Sequence, residues 1–146
     1  MTTAIHRRVD ALRAGRDPGF IARLASGWAV MAEHQVLPGY CLLLPDPVVA
    51  DLHALARDDR TQFLVDMTAL GDAVQKVTRA VRINYAIFGN LEPALHAHVI
   101  PRYQDEPAPY ATTHPWAYDW NAAAAYDPEQ HRELRDRIHA ALGAAT

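Results

Sequence analysis

The chain has 146 residues, half of them hydrophobic, enough for one compact domain with a real core and too few to expect two. A formal net charge of −3 and an isoelectric point near 6.2 leave no large basic surface for a polynucleotide backbone, so nucleic acid is not an expected partner. A single cysteine, Cys41, excludes an internal disulfide framework and a thiolate zinc site, and no apolar run approaches the roughly 20 residues of a membrane span. Together with the lack of a secretory pattern at the start, these features read as a soluble, cytoplasmic protein with no membrane partner.

Taken in chain order, Asp17-Pro18 followed by FIARLASG has a capping residue, a proline at the first helical position and Gly27 as a stop, which predicts a short helix burying Phe20, Ile21 and Leu24. WAVMAE and CLLLP, separated by Pro38-Gly39, predict an antiparallel hairpin. Asp46-Pro47 then opens a short helix in VVADLHAL, and Asp58 or Asp59 caps the next. In that longer helix Phe63, Met67, Leu70, Val74, Val77 and Val81 recur at steps of four and three, one continuous apolar stripe that lies on a sheet.

RINYAIFG reads as a strand, Gly89-Asn90 as a turn and LHAHVIPRY as the partner strand. Residues 104–125 carry prolines and aromatics without periodicity and are expected to form an ordered loop or lid. Asp127-Pro128-Glu129-Gln130 starts a C-terminal helix with Leu134, Ile138, Ala141 and Leu142 on one side. The resulting fold class is α+β: an antiparallel sheet with its helices mainly on one face, leaving the other free to act.

Residues 94–102 carry the chemistry. On a strand Leu95, Ala97 and Val99 face one way and Ala94, His96, His98 and Ile100 the other, so the two imidazoles share a side. Three readings compete at this point: partly exposed histidines with no role, a metal site, or nucleophilic catalysis by one imidazole with the second stabilising the group attacked. A metal needs further ligands, for which His114, His34, Glu92 and Asp105 are the candidates, without an HExxH or CxxC to support them. Spacing alone does not rank metal against nucleophile.

GNLEPALHAHVIPRY resembles the signature of the histidine triad (HIT) family of nucleotide hydrolases and transferases, in which three alternating histidines are commonly followed by Pro-Arg. SGWAVMAEHQVLPGYCLLLPD is similar to the strand pair preceding the helix in a bacterial branch of that family, and INYAIFGN to its penultimate strand. The resemblance covers residues 17–118, within a single domain of residues 1–146 whose remainder, 119–146, is a C-terminal extension and helix. It implies a HIT-like sheet of about five strands with a long helix on one face and a C-terminal helix. Aligned on Pro101-Arg102, the middle histidine falls on His96, the third on His98 and the first on Ala94, so this chain carries a dyad. Gly89-Asn90 stands where members often have Gly-Gln.

The resemblance implies that His96 attacks the α-phosphorus of a small-molecule nucleotide and forms a nucleotidyl-histidine that water hydrolyses, with His98 bonding a phosphate oxygen. The unreacting ring nitrogen of His96 is then expected on a backbone carbonyl. Substrate contacts are expected from Asn84, Gly89, Asn90 and Arg102, although Arg102 has Glu92, Asp105 and Glu106 as competing partners. No metal and no cofactor are implied, because imidazole and amide donors can perform the chemistry. Loss of the first histidine keeps open a nucleotide-binding or regulatory module with little turnover. The aromatics between Tyr110 and Tyr126 either cover the sheet edge or a partner subunit, the preferred reading, or fold over the site. A homodimer is expected by resemblance.

Overall fold

The computed structural model describes residues 2–145. Five strands, β1 (Phe20–Arg23), β2 (Gly27–Met31), β3 (Cys41–Pro45), β4 (Arg82–Ala86) and β5 (Ala97–Arg102), form one antiparallel sheet in the order β1-β2-β3-β5-β4. Helices α1 (Ala4–Arg13), α2 (Arg57–Thr78), a single turn α3 (Ala108–Ala111) and α4 (Arg132–Ala145) complete the α+β architecture. Among the described residues no helix is long and apolar enough to cross a membrane.

The sheet is covered on both sides, which corrects the expectation of one free face. On the first face Leu95, Ala97 and Val99 of the β5 region join Cys41 and Leu43 under Phe63, Leu70 and Val74 of α2 and Ile138 and Leu142 of α4. On the second, α1 lays Ile5, Val9 and Leu12 over Val30, Leu42, Leu44 and Ile100. All five residues of β3 are therefore buried, as befits a central strand sandwiched between layers. Cys41 lies at its start, its thiol donating to the Gly39 carbonyl at 3.2 Å and pushed far up in pKa by burial.

The first helix is α1, which the sequence reading did not anticipate. Thr3 caps it: its hydroxyl accepts from His6 N–H while the His6 ring accepts from Thr3 N–H, and Ile5, Val9 and Leu12 repeat at helical steps. The helix expected after Asp17-Pro18 is instead the edge strand β1. Asp17 does not cap; its carboxylate takes Arg8 Nε at 2.8 Å and Gly19 N–H at 2.7 Å, turning the chain into the β2 ladder. A four-residue stretch with Ile21 on the core satisfies strand and helix patterns equally, and pairing with β2 decides.

The β2–β3 hairpin, the β4–β5 pair and the long helix stand where the pattern put them. The helix expected after Asp46-Pro47 shrinks to one 3-10 turn, Leu52–Ala54, capped by Asp51. Asp46 does not cap a helix, because Arg13 and the Trp28 indole N–H hold its carboxylate. The cap of α2 is Ala56, without a side-chain bond, and Asp58 and Asp59 sit in the first turn, where they complement the helix dipole. Arg79 adopts a left-handed conformation (φ 59) that ends α2, so Val81 leaves the stripe and is exposed. Helix α4 begins later than expected, at Arg132, because Asp127 caps a preceding turn through Glu129 and Gln130 N–H.

Candidate active site

Register places the two histidines against specific neighbours. His98 is paired with Leu42 of β3 and Ala86 of β4, and His96 lies just before the strand begins. Both rings project to the α1 side, half-buried, with centroids 4.9 Å apart and planes at 70°.

The ring of His96 is held by its own backbone: Nδ1 lies 2.8 Å from the Ala94 carbonyl oxygen. A carbonyl only accepts, so Nδ1 carries a hydrogen, and in the neutral form of the ring the lone pair is on Nε2. Ala94, at the position of the missing first histidine, is completely buried among the residues under α1.

His98 sits in an aromatic wall. Tyr40 stacks on it at 5.9 Å, Trp116 meets it edge-on at 5.1 Å, and Phe88 lies at 5.9 Å. The Tyr40 hydroxyl is 2.5 Å from His98 Nδ1. Burial first, and then the neighbouring His96, depress the His98 pKa to about 4, so the ring is neutral at neutral pH. Trp120 stacks on Trp116 at 5.3 Å and meets Tyr40 at 5.4 Å, closing the wall. The segment after β5 therefore folds against the histidines, and the preferred reading of its aromatics as a cover for the sheet edge is corrected for Trp116 and Trp120.

Arg102 is not brought to the histidines. It lies four residues beyond His98, about 13 Å along the strand. Its guanidinium is buried and fully engaged: a two-pronged pair with Glu106 at 2.9 and 3.1 Å, the Asn84 side-chain oxygen at 2.8 Å, and the Thr113 and Tyr110 carbonyls at 2.7 and 2.9 Å. Burial works against the Glu106 charge, but hydrogen bonds from Arg102, Tyr118 and the Tyr103 N–H hold its pKa below the usual range. This hub fastens residues 103–118 to the end of β5 and so sets Trp116 beside His98. Asn84, expected at the substrate, faces the hub across from Ile100. Gly89, in a left-handed conformation (φ 79), and exposed Asn90 lie in the loop leading to the histidines, and the Asn90 amide has no hydrogen-bond partner among the described residues.

The candidate metal ligands are dispersed. His34 pairs by backbone with Ala125, Glu92 accepts from Ala4 N–H at the start of α1, and among the described residues no three His, Cys, Asp or Glu side chains form a metal-holding group. Sequence reasoning missed Tyr40 altogether. The aromatic next to Gly39 was visible, but its partner lies 58 residues away, on a strand paired through the sheet.

A HIT domain model matches residues 26–105, more than half of the chain, and spans β2 through β5 with both histidines. The chain belongs to the HIT family. No curated protein sequence matches it significantly. Among solved structures it is similar to a histidine triad protein from Sinorhizobium meliloti, 25% identical, with a TM-score of 0.71 over 87% of this chain and 91% of that one. A histidine triad protein from Marinobacter aquaeolei, 20% identical, superposes over all of both chains with a TM-score of 0.77. A histidine triad nucleotide-binding protein from Sulfolobus tokodaii, 14% identical, does so over 93% and 91% with a TM-score of 0.73. The latter two establish the shared fold, and membership supports a nucleotide-binding or nucleotide hydrolase/transferase role.

Proposed function

We propose that this HIT protein is a nucleotide hydrolase or nucleotidyl transferase that works through a covalent intermediate on His96. The observation that carries the reading is the Nδ1 bond to the Ala94 carbonyl, which leaves the Nε2 lone pair as the reactive end of a fixed ring. Nε2 forms a bond to the α-phosphorus of a nucleotide; the bond from phosphorus to the leaving group breaks, and the leaving group departs with the electron pair and gains a proton. Water then attacks the same phosphorus, the nitrogen–phosphorus bond breaks, and His96 returns to its starting state. His98 stands beside it to bond a phosphate oxygen as charge builds, with the Gly89-Asn90 backbone and the Asn90 amide as further donors. Dinucleoside polyphosphates and nucleoside phosphoramidates both present the required α-phosphate.

A second reading, a nucleotide-binding or regulatory module with little turnover, is favoured by one observation: the first triad position is an alanine sealed under α1. Turnover of an adenosine phosphoramidate and two diadenosine polyphosphates by wild type and His96→Ala, with acid-labile label on the protein followed in parallel, separates the two. Turnover with an adduct that His96→Ala cannot form supports the enzyme; nucleotide binding with neither turnover nor adduct supports the module. The proposal includes a homodimer, since β4 is an edge strand that carries exposed Tyr85, with exposed Phe88 just beyond its end. Sedimentation of the protein showing a monomer at micromolar concentration removes that part.

A further inference from the structure

Tyr40 is 4% exposed and follows Gly39, whose positive φ of 96° turns the chain into β3. Its hydroxyl has one hydrogen-bond partner among the described residues, His98 Nδ1. The ring packs against His98 and Trp120, and burial, with Cys41 adding to it, raises the phenol pKa far above its ordinary value. The hydroxyl therefore keeps its proton throughout the working range of pH.

Direction follows from satisfaction. Were His98 Nδ1 to carry the ring hydrogen and donate, the phenolic proton would be left inside an apolar wall without an acceptor. With the phenol donating, both groups are satisfied and the ring hydrogen of His98 moves to Nε2. The neighbouring His96 has the opposite arrangement, hydrogen on Nδ1 and lone pair on Nε2, because its partner is a carbonyl. Two imidazoles of one strand face are thus held in complementary states by two different oxygens.

We propose that Tyr40 is a positioning residue: its hydroxyl fixes His98 as a neutral Nε2–H donor, so that the face presents one nucleophilic nitrogen and one hydrogen-bond donor side by side. The inference rests on the assignment of His96 as nucleophile. A His98 ring free to take its other tautomer would turn a lone pair toward the phosphate oxygen, and the attacked group would lose a donor as charge accumulates.

The test uses the full-length protein. Nitrogen-15 NMR of labelled histidine rings, on wild type without substrate, reads the tautomer directly; a protonated Nε2 on His98 is expected, and a protonated Nδ1 overturns the proposal whether or not any variant folds. Tyr40→Phe keeps the ring and deletes the donor. With an adenosine phosphoramidate as substrate, kcat and kcat/KM are expected to fall together by about 10- to 100-fold, by analogy with the loss of a partner that orients a metal-ligating histidine, with KM unchanged and His98 showing mixed tautomers. Turnover by wild type with an unchanged Tyr40→Phe overturns the role of Tyr40 alone. Absence of turnover and adduct in wild type overturns the nucleophile assignment, and the catalytic use of Tyr40 with it.

Discussion

The indole of Trp116 meets the imidazole of His98 edge-on, with ring centroids 5.1 Å apart. Trp116 belongs to a segment without regular periodicity, yet it joins Tyr40 and Phe88 in the apolar wall around this histidine. Trp116→Ala is therefore expected to raise the His98 pKa from about 4 toward the ordinary value of about 6.5, because burial is the larger cause of the depression. An NMR titration of the ring checks this; a pKa that stays near its present value would assign the depression to Tyr40, Phe88 and His96 instead of Trp116.

The same depression makes stability depend on pH. Between roughly pH 6.5 and 4 the unfolded chain protonates this histidine while the folded one does not, so stability falls as pH falls through that window. With allowance for partial exposure, the contribution at pH 5 is about 1–2 kcal/mol. Urea unfolding of wild type and His98→Gln at pH 7 and pH 5 is expected to show a smaller acid loss in the variant.

Arg102→Met leaves the Glu106 carboxylate buried without its main partner. A loss of about 3–5 kcal/mol is expected from breaking one side of a buried pair, measured by denaturant unfolding. A phosphate-binding arginine would show the reverse pattern, with turnover lost at unchanged stability.

Ala94→His restores the three-histidine pattern in sequence but not in space. The residue is completely buried under α1, so the larger side chain is expected to destabilise by about 1–3 kcal/mol and to leave kcat no higher. Thermal melting and turnover of the variant check both parts.

Legibility followed the range of the interactions. The long helix and the histidine strand were readable because each repeats its apolar residues often enough to declare a period, and the hairpin at residues 27–45 because Pro38-Gly39 marks a turn between two apolar runs. Phe20–Arg23 has too few residues to do so, and its ladder partner decided. His96 and His98 share a face by alternation alone, and the family signature supplied their chemistry. Tyr40 escaped notice because nothing local marks it; its meaning comes from β3 pairing with β5. Arg102 had Glu106 among its candidate partners from the start, but a count of charges does not reveal that Asn84 and two carbonyls would complete its coordination.

Cys41 follows Tyr40 directly and is sealed in the central strand with its thiol buried. As the sole sulfhydryl of the chain, it makes the protein its own stopwatch. Thiol reagents are expected to modify it only when β3 parts from its neighbours, so the labelling rate under native conditions counts the openings of the strand that holds the Tyr40–His98 contact. A ligand that closes the site should slow that clock, which gives a reading of occupancy requiring no chemical turnover.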